Sequence, residues 1–376
     1  MTTATATATQ TVPDTPHYDS GYQDQDSDFS SDDGQEFHVE ERTGRSWPTK
    51  MLHAMIKPIK PKLVKTGQVS SDDPTRCKPS RGARRRCDVE ERRVEGVWTY
   101  ELTPKASSDE PRKGYARRIL YYAGGGWQAP PTGQHWTFCA EMVQRLQDTR
   151  LTIISYPIAP KDRVQDSFPA VIKTYNALLR ESSELGERVI VAGDSSGGNI
   201  ALCSVLWTMR DQDFQVVRPP QAILAINPTT DLSHKNADIK EVDKVDPILS
   251  EAAINDTASK WAPGVSDSSQ TPDDSNYKGH PGERLDWSVD DPRVSPIHAD
   301  LSMCVKHSVK IHGITASHDV LGPEAVVFRE KCRNEGIDGE WLAWEQQMHC
   351  FPLAYKYGLK ESKEGLEWII DVLKRS

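Results

Sequence analysis

Val189-Ile190-Val191-Ala192-Gly193-Asp194-Ser195-Ser196-Gly197-Gly198-Asn199 is the stretch that decides the fold. Its first four residues form an apolar run of the length expected for a short buried strand. From Gly198 to Trp207 the chain reads as a helix. A strand, a G-x-S-x-G turn and a helix in that order make a nucleophile elbow, which pushes one serine out at a sharp chain reversal. Gly193 and Gly197 flank Ser195 at two residues' distance and remove the Cβ atoms that would collide across the turn.

A serine hydroxyl attacks poorly at neutral pH unless a base takes its proton. The sequence downstream is therefore searched for an acid at a strand end and a histidine in a later loop. Val309 to Ile314 alternates like a strand, and Asp319 follows its end. Glu340 to Glu345 reads as a second strand, with His349 in the loop after it. Asp319 is expected to fix the imidazole tautomer of His349 and to stabilise the imidazolium. Rival bases are weaker: His318 is too close to Asp319 in sequence, His280 and His298 lie in polar stretches, and His312 sits on the strand itself. Glu324, Glu345 and Asp291 are the rival acids, and none ends a strand as cleanly.

Acyl transfer also needs N–H donors aimed at a developing alkoxide. Arg118 to Tyr122 reads as a strand running into Ala123-Gly124-Gly125-Gly126-Trp127. That loop supplies candidate oxyanion-hole amides at Gly124, Gly125 and Gly126, with Gly125 and Gly126 favoured, and Ser196 supplies another. The chain has neither G-K-[ST] after the glycines nor G-x-G-x-x-G, so a nucleotide site is not expected.

The runs Tyr121–Trp127, Gly193–Asn199, Asp291–Pro296, Asp319–Leu321 and Met348–Phe351, with Tyr156-Pro157-Ile158-Ala159-Pro160, resemble the hormone-sensitive-lipase family of α/β-hydrolases over residues 90–376. The resemblance implies an α/β-hydrolase fold with a mostly parallel sheet, a helical cap and carboxylic ester hydrolysis. It departs at Ala123, where the family usually has a histidine that braces the oxyanion loop, and at Cys350, where glycine is common. It points to an esterase or deacetylase acting on small hydrophobic or natural-product esters, as in secondary metabolism. An acyltransferase or a lactone-forming catalyst would use the same acyl-enzyme with another acceptor. A non-catalytic ligand receptor is the third reading, disfavoured because His349 is retained. The chemistry calls for no cofactor and no metal.

The net charge of −9 argues against nucleic acid as a partner. Residues 1–45 are rich in Asp and Glu with little apolar content, and are expected to be a disordered tail. The tail has no basic start followed by an apolar core, and no apolar run reaches about 18 residues. The expectation is a cytoplasmic protein. The seven scattered cysteines are expected to be free thiols.

Residues 46–90 are expected to hold an N-terminal cap helix, ended by Pro58 and Pro61, and then a solvated basic loop containing Arg81, Arg84, Arg85 and Arg86. Residues 47–65 mix apolar side chains with lysines and offer a surface for weak membrane contact. The catalytic domain is placed at 91–376, with a cap insertion at about 231–303 that walls the substrate pocket together with residues 46–70. Residues 266–282 read as a flexible excursion from that cap. Oligomeric state is left open.

Overall fold

Four stretches that the sequence marks as apolar become interior strands because both of their faces are covered. In the computed structural model, which describes residues 37–63, 73, 75–105, 114–210, 218–263 and 287–376, every residue of β4 (Arg117–Tyr122), β5 (Thr149–Ser155) and β7 (Ala222–Ile226) is buried. The same holds for β6 (Arg188–Asp194) beyond its first residue. Such runs belong to parallel sheets covered by helices on both sides. The remaining strands are β1 (Phe37–Arg42), β2 (Cys87–Val94), β3 (Val97–Pro104), β8 (Lys310–His318) and β9 (Gly339–Met348).

The sheet runs β1-β9-β8-β7-β6-β4-β5-β3-β2. Pairing is parallel from β1 through β5 and antiparallel at the β5–β3 and β3–β2 edge. Side chains alternate between its two faces. Leu120, Tyr122, Ile154, Val191 and Ile223 enter one core beneath the helices Val164–Glu184, Ser196–Thr208 and Gly322–Asn334. Ile119, Tyr121, Ile153, Ile190 and Leu224 enter the other, beneath Gly133–Arg145 and Lys360–Arg375. The whole arrangement is the α/β-hydrolase fold, with the elbow at the centre of the sheet.

Three expectations change. Residues 37–42 were placed in the acidic tail but form β1, which lies parallel to β9 over its full length. Alternation explains it: Phe37 and Val39 pack against the core while His38 between them faces solvent. The basic cluster is a short helix, Arg81–Arg86, rather than a loop; the Ser80 hydroxyl caps it by accepting from Ala83 N at 3.1 Å. The third change concerns the N-terminal helix, Trp47–Ile56. None of the described residues 46–63 lines the cavity that holds Ser195 and His349. Instead the segment is tied to residues 243–246, with Lys60 Nζ donating to Asp243 Oδ1 (2.6 Å) and to the Asp246 carbonyl (3.1 Å).

The segment between β7 and β8, where the cap is expected, contains the helices Ile239–Asp243 and Glu251–Trp261. Residues 1–36, 64–70 and 266–282, with His280, lie outside the described residues. All seven cysteines are free, and among the described residues no helix is long and apolar enough to cross a membrane.

Candidate active site

The elbow is built as its glycines require. Ser195 has φ 55° and ψ −125°, a region that costs a non-glycine residue on the order of 1–3 kcal/mol. Its backbone is pinned on both sides, N–H to the Ile226 carbonyl at 2.9 Å and carbonyl to the Asn199 amide at 3.1 Å. A Cβ at Gly193 would lie 2.3 Å from the Gly197 carbonyl oxygen, and one at Gly197 would lie 2.1 Å from the Tyr122 carbonyl oxygen. Either side chain would push the turn apart.

Asp319 directly follows β8 and His349 directly follows β9. Their side chains meet at 2.8 Å, Nδ1 to Oδ2, both buried. Asp319 also accepts from Asn227 Nδ2 at 2.9 Å and from the Leu321 amide at 3.0 Å. Burial pulls the His349 pKa down, but the Asp319 carboxylate and the Cys350 thiol outweigh it and hold the imidazole well above its ordinary value. The other nitrogen, Nε2, lies 3.4 Å from Cys350 Sγ. Burial drives that thiol up to about 12 despite the neighbouring imidazole, so Cys350 stays protonated at neutral pH.

The glycine loop divides its labour. Gly125 and Gly126 have φ of 146° and 59°, conformations suited to glycine. Among the described residues neither amide meets an acceptor. Ser196 opens its helix, which leaves its N–H outside the helical ladder. Gly124 departs from expectation: its amide donates to Asp194 Oδ1 at 3.1 Å, so it braces the loop and is not free for an oxyanion.

Asp194 is itself held by Tyr121 Oη at 2.6 Å and by His135 Nε2 at 3.2 Å. His135 Nδ1 accepts the Thr132 amide at 3.0 Å, which places the ring proton on Nε2, facing Asp194. Burial would raise the Asp194 pKa, but His135, Tyr121 and the Gly124 amide together keep it below the ordinary value. Ala123 contributes no such contact from its side chain. The bracing comes from Asp194 and His135, neither of which the sequence reading singled out.

Ser195, His349, Gly124, Gly125, Gly126 and Ser196 line one cavity of about 540 Å³. The cap adds Ile248, Leu249, Ala253, Ile254 and Thr257 to its walls. Asp246, from the same segment, reaches behind the acid loop and accepts the Val320 amide at 2.9 Å. Burial and the nearby Asp319 carboxylate push Asp246 up to about 6, against the pull of the Ile248, Val320 and Leu249 amides.

The rivals are accounted for. Among acids, Glu324 pairs with His234 at 2.9 Å, Asp291 pairs with Arg293 at 2.5 Å, and Glu345 is exposed. Among histidines, His312 accepts the Glu340 amide at 3.0 Å and is driven to about 3 by burial and by Lys310 and Arg375. His318 stacks obliquely near His53 at 6.4 Å, and His298 is exposed.

A family description of the alpha/beta hydrolase fold matches residues 119–279. Esterase LipU of Mycobacterium tuberculosis is 27% identical over 135 residues, 35% of this chain and 43% of that protein. Human hormone-sensitive lipase is 26% identical over 170 residues, 44% of this chain and 15% of the lipase. The matched stretch thus spans less than half the length of either relative. A crystal structure of a hormone-sensitive lipase from a metagenome library superposes with a TM-score of 0.67 at 18% identity, covering 88% of this chain and 98% of that one. A second metagenomic homologue, EstE7, gives 0.64 at 18% identity, over 87% and 98%. Fold and site together define an α/β-hydrolase. Within that class the chain is similar to the hormone-sensitive lipases and the esterases related to them.

Proposed function

We propose that the chain is a serine carboxylic ester hydrolase working through an acyl-enzyme. The observation that carries this reading is the 2.8 Å Asp319–His349 pair opening on the same cavity as the strained Ser195. In the proposed mechanism Ser195 Oγ attacks the ester carbonyl while His349 Nε2 takes its proton. The amides of Gly125, Gly126 and Ser196 receive the oxyanion. His349 then protonates the leaving alcohol, and a water that it deprotonates releases the acid.

The walls from Ile248, Leu249, Ile254, Leu321 and Leu353 favour small hydrophobic esters, and short acyl groups such as acetyl are the preferred substrates in this reading. Residues 231–303 act as its cap. Replacing Ser195 by Ala is expected to abolish turnover of a short-chain aryl ester and labelling by a fluorophosphonate; near-normal turnover would refute the assignment.

Weak contact with a membrane surface is a separate proposal. It is supported by Trp47, Met51, Met55 and Ile59, which are exposed at four-residue spacing beside Lys50 and Lys57. Co-sedimentation with phosphatidylcholine–phosphatidylserine vesicles tests it, and a full-length chain that stays in the supernatant refutes it.

A further inference from the structure

The cavity holds a second buried imidazole–carboxylate pair that the proposed hydrolysis does not use. His234 Nδ1 lies 2.9 Å from Glu324 Oε2, with the side chains 1% and 2% exposed. Glu324 belongs to the first turn of the helix Gly322–Asn334, five residues beyond Asp319, so one strand end supplies the acids of both pairs. His234 begins the cap segment and lines the same cavity as Ser195 and His349.

Two features mark this pair as more than packing. His234 Nε2 is buried without a hydrogen-bond partner among the described residues, which is unfavourable for a polar atom. Its residue also has φ 46°, a strained value for histidine. Strain and an unmet hydrogen-bonding group together are what a folded chain keeps where a ligand completes the arrangement.

The chemistry of the missing partner follows from the tautomer. Burial raises the Glu324 carboxyl and His234 pulls it back down; while ionised, the carboxylate only accepts, so the ring proton sits on Nδ1 and faces Glu324. Nε2 then carries a lone pair, on a residue lining a pocket whose walls from residues 248–257 are mostly apolar, and it calls for a donor. Among the described residues that line the cavity none is Lys or Arg, so an anionic group finds no counter-charge there beyond the His349 imidazole.

We infer that the cavity takes a neutral ester carrying a free hydroxyl, whose O–H donates to His234 Nε2, and that the Glu324–His234 pair sets specificity for it. The inference rests on the ester-hydrolase reading and names its substrate class. Glu324 acts as a positioning residue for the imidazole. A site built to pair with a hydroxyl discriminates against the analogue that lacks it far more sharply than an apolar pocket can discriminate by size.

The test uses the full-length chain and matched substrates. One series sets the monoacetates of 1,4-butanediol and 1,6-hexanediol against butyl and hexyl acetate; the other sets p-nitrophenyl 6-hydroxyhexanoate against p-nitrophenyl hexanoate. In at least one series the hydroxylated member should lead by about tenfold or more in kcat/KM, mainly through KM. His234→Leu should bring that ratio to within about twofold, with the loss falling on the hydroxylated member. Glu324→Gln offers Nδ1 a donor, moves the ring proton to Nε2, and should shift the preference from the hydroxy ester towards the corresponding keto ester.

A wild-type ratio near one in both series overturns the inference, and this needs no variant. So does an equal loss on both members in His234→Leu, which marks a structural role. If the wild type also escapes fluorophosphonate labelling and turns over no ester, the ester-hydrolase reading has failed. Intact labelling with a ratio near one removes the hydroxyl site alone.

Discussion

Asp319–His349 and Glu324–His234 are two buried acid–imidazole pairs of nearly equal length, 2.8 and 2.9 Å, set around one cavity. They differ in how fully each is surrounded. Asp319 receives a side-chain amide and a backbone amide besides the imidazole, and His349 Nε2 has the Cys350 thiol beside it. On the other pair, His234 Nε2 has no partner among the described residues. A carboxylate fixed from several directions orients its imidazole with little reorganisation, which suits proton transfer. A pair with an open nitrogen suits recognition. Similar components thus serve different ends according to what their remaining atoms touch.

The comparison breaks most visibly at the acids. Asp319→Asn is expected to lower kcat by about 10⁴, because the amide favours the wrong tautomer of His349. Glu324→Gln should slow a plain alkyl acetate by less than about tenfold, since it touches recognition rather than proton transfer. Steady-state kinetics on both variants decides it, and comparable losses would erase the distinction.

A smaller effect is expected from the loop brace. His135→Ala removes the imidazole that faces Asp194, and so loosens the Gly124 amide that Asp194 holds. The expected cost is up to about 10²-fold in kcat with KM little changed, the signature of a disturbed oxyanion hole. A loss confined to KM would place His135 in ground-state binding instead.

The pH profile sharpens the comparison from the other side. As a base His349 must be neutral, and its pKa is raised, so kcat/KM should climb with pH through a midpoint above 6.5. Asp319→Asn should move that midpoint down. The stability consequence has the opposite sign. The charged pair contributes fully below the ordinary pKa of 6.5, and its contribution fades as pH rises through the raised value. Melting temperatures measured from pH 6 to 10 would show the decline, and Asp319→Asn should flatten it. The smallest expected effect is that of Cys350→Ala, a change in kcat within about fivefold, since it removes only a weak thiol contact to Nε2.

Much of this site is readable in sequence because its parts sit at strand ends. Ser195, Asp319 and His349 each follow an apolar run, and a G-x-S-x-G turn has few conformations open to it. β8 and β9 differ from their expected bounds only in extent. The Glu324–His234 pair is hidden for the converse reason. Its partners are 90 residues apart, one in a helix's first turn and one in an irregular segment, and no periodicity links them. Asp194 and His135 were missed because their role lies in bracing a backbone amide, which a residue pattern does not display. β1 escaped notice because its acidic neighbours masked a short alternation of Phe37 and Val39.

β1 has a consequence for how the protein is handled. By pairing with β9 from Phe37↔Gly339 to Arg42↔Trp344, it occupies the outer margin of the sheet. A shortened form starting after Arg42 would leave β9 with a bare row of backbone donors and acceptors, a template for strand addition between molecules. Trimming that end for expression would therefore invite self-association, even though Ser195, Asp319 and His349 would remain in place.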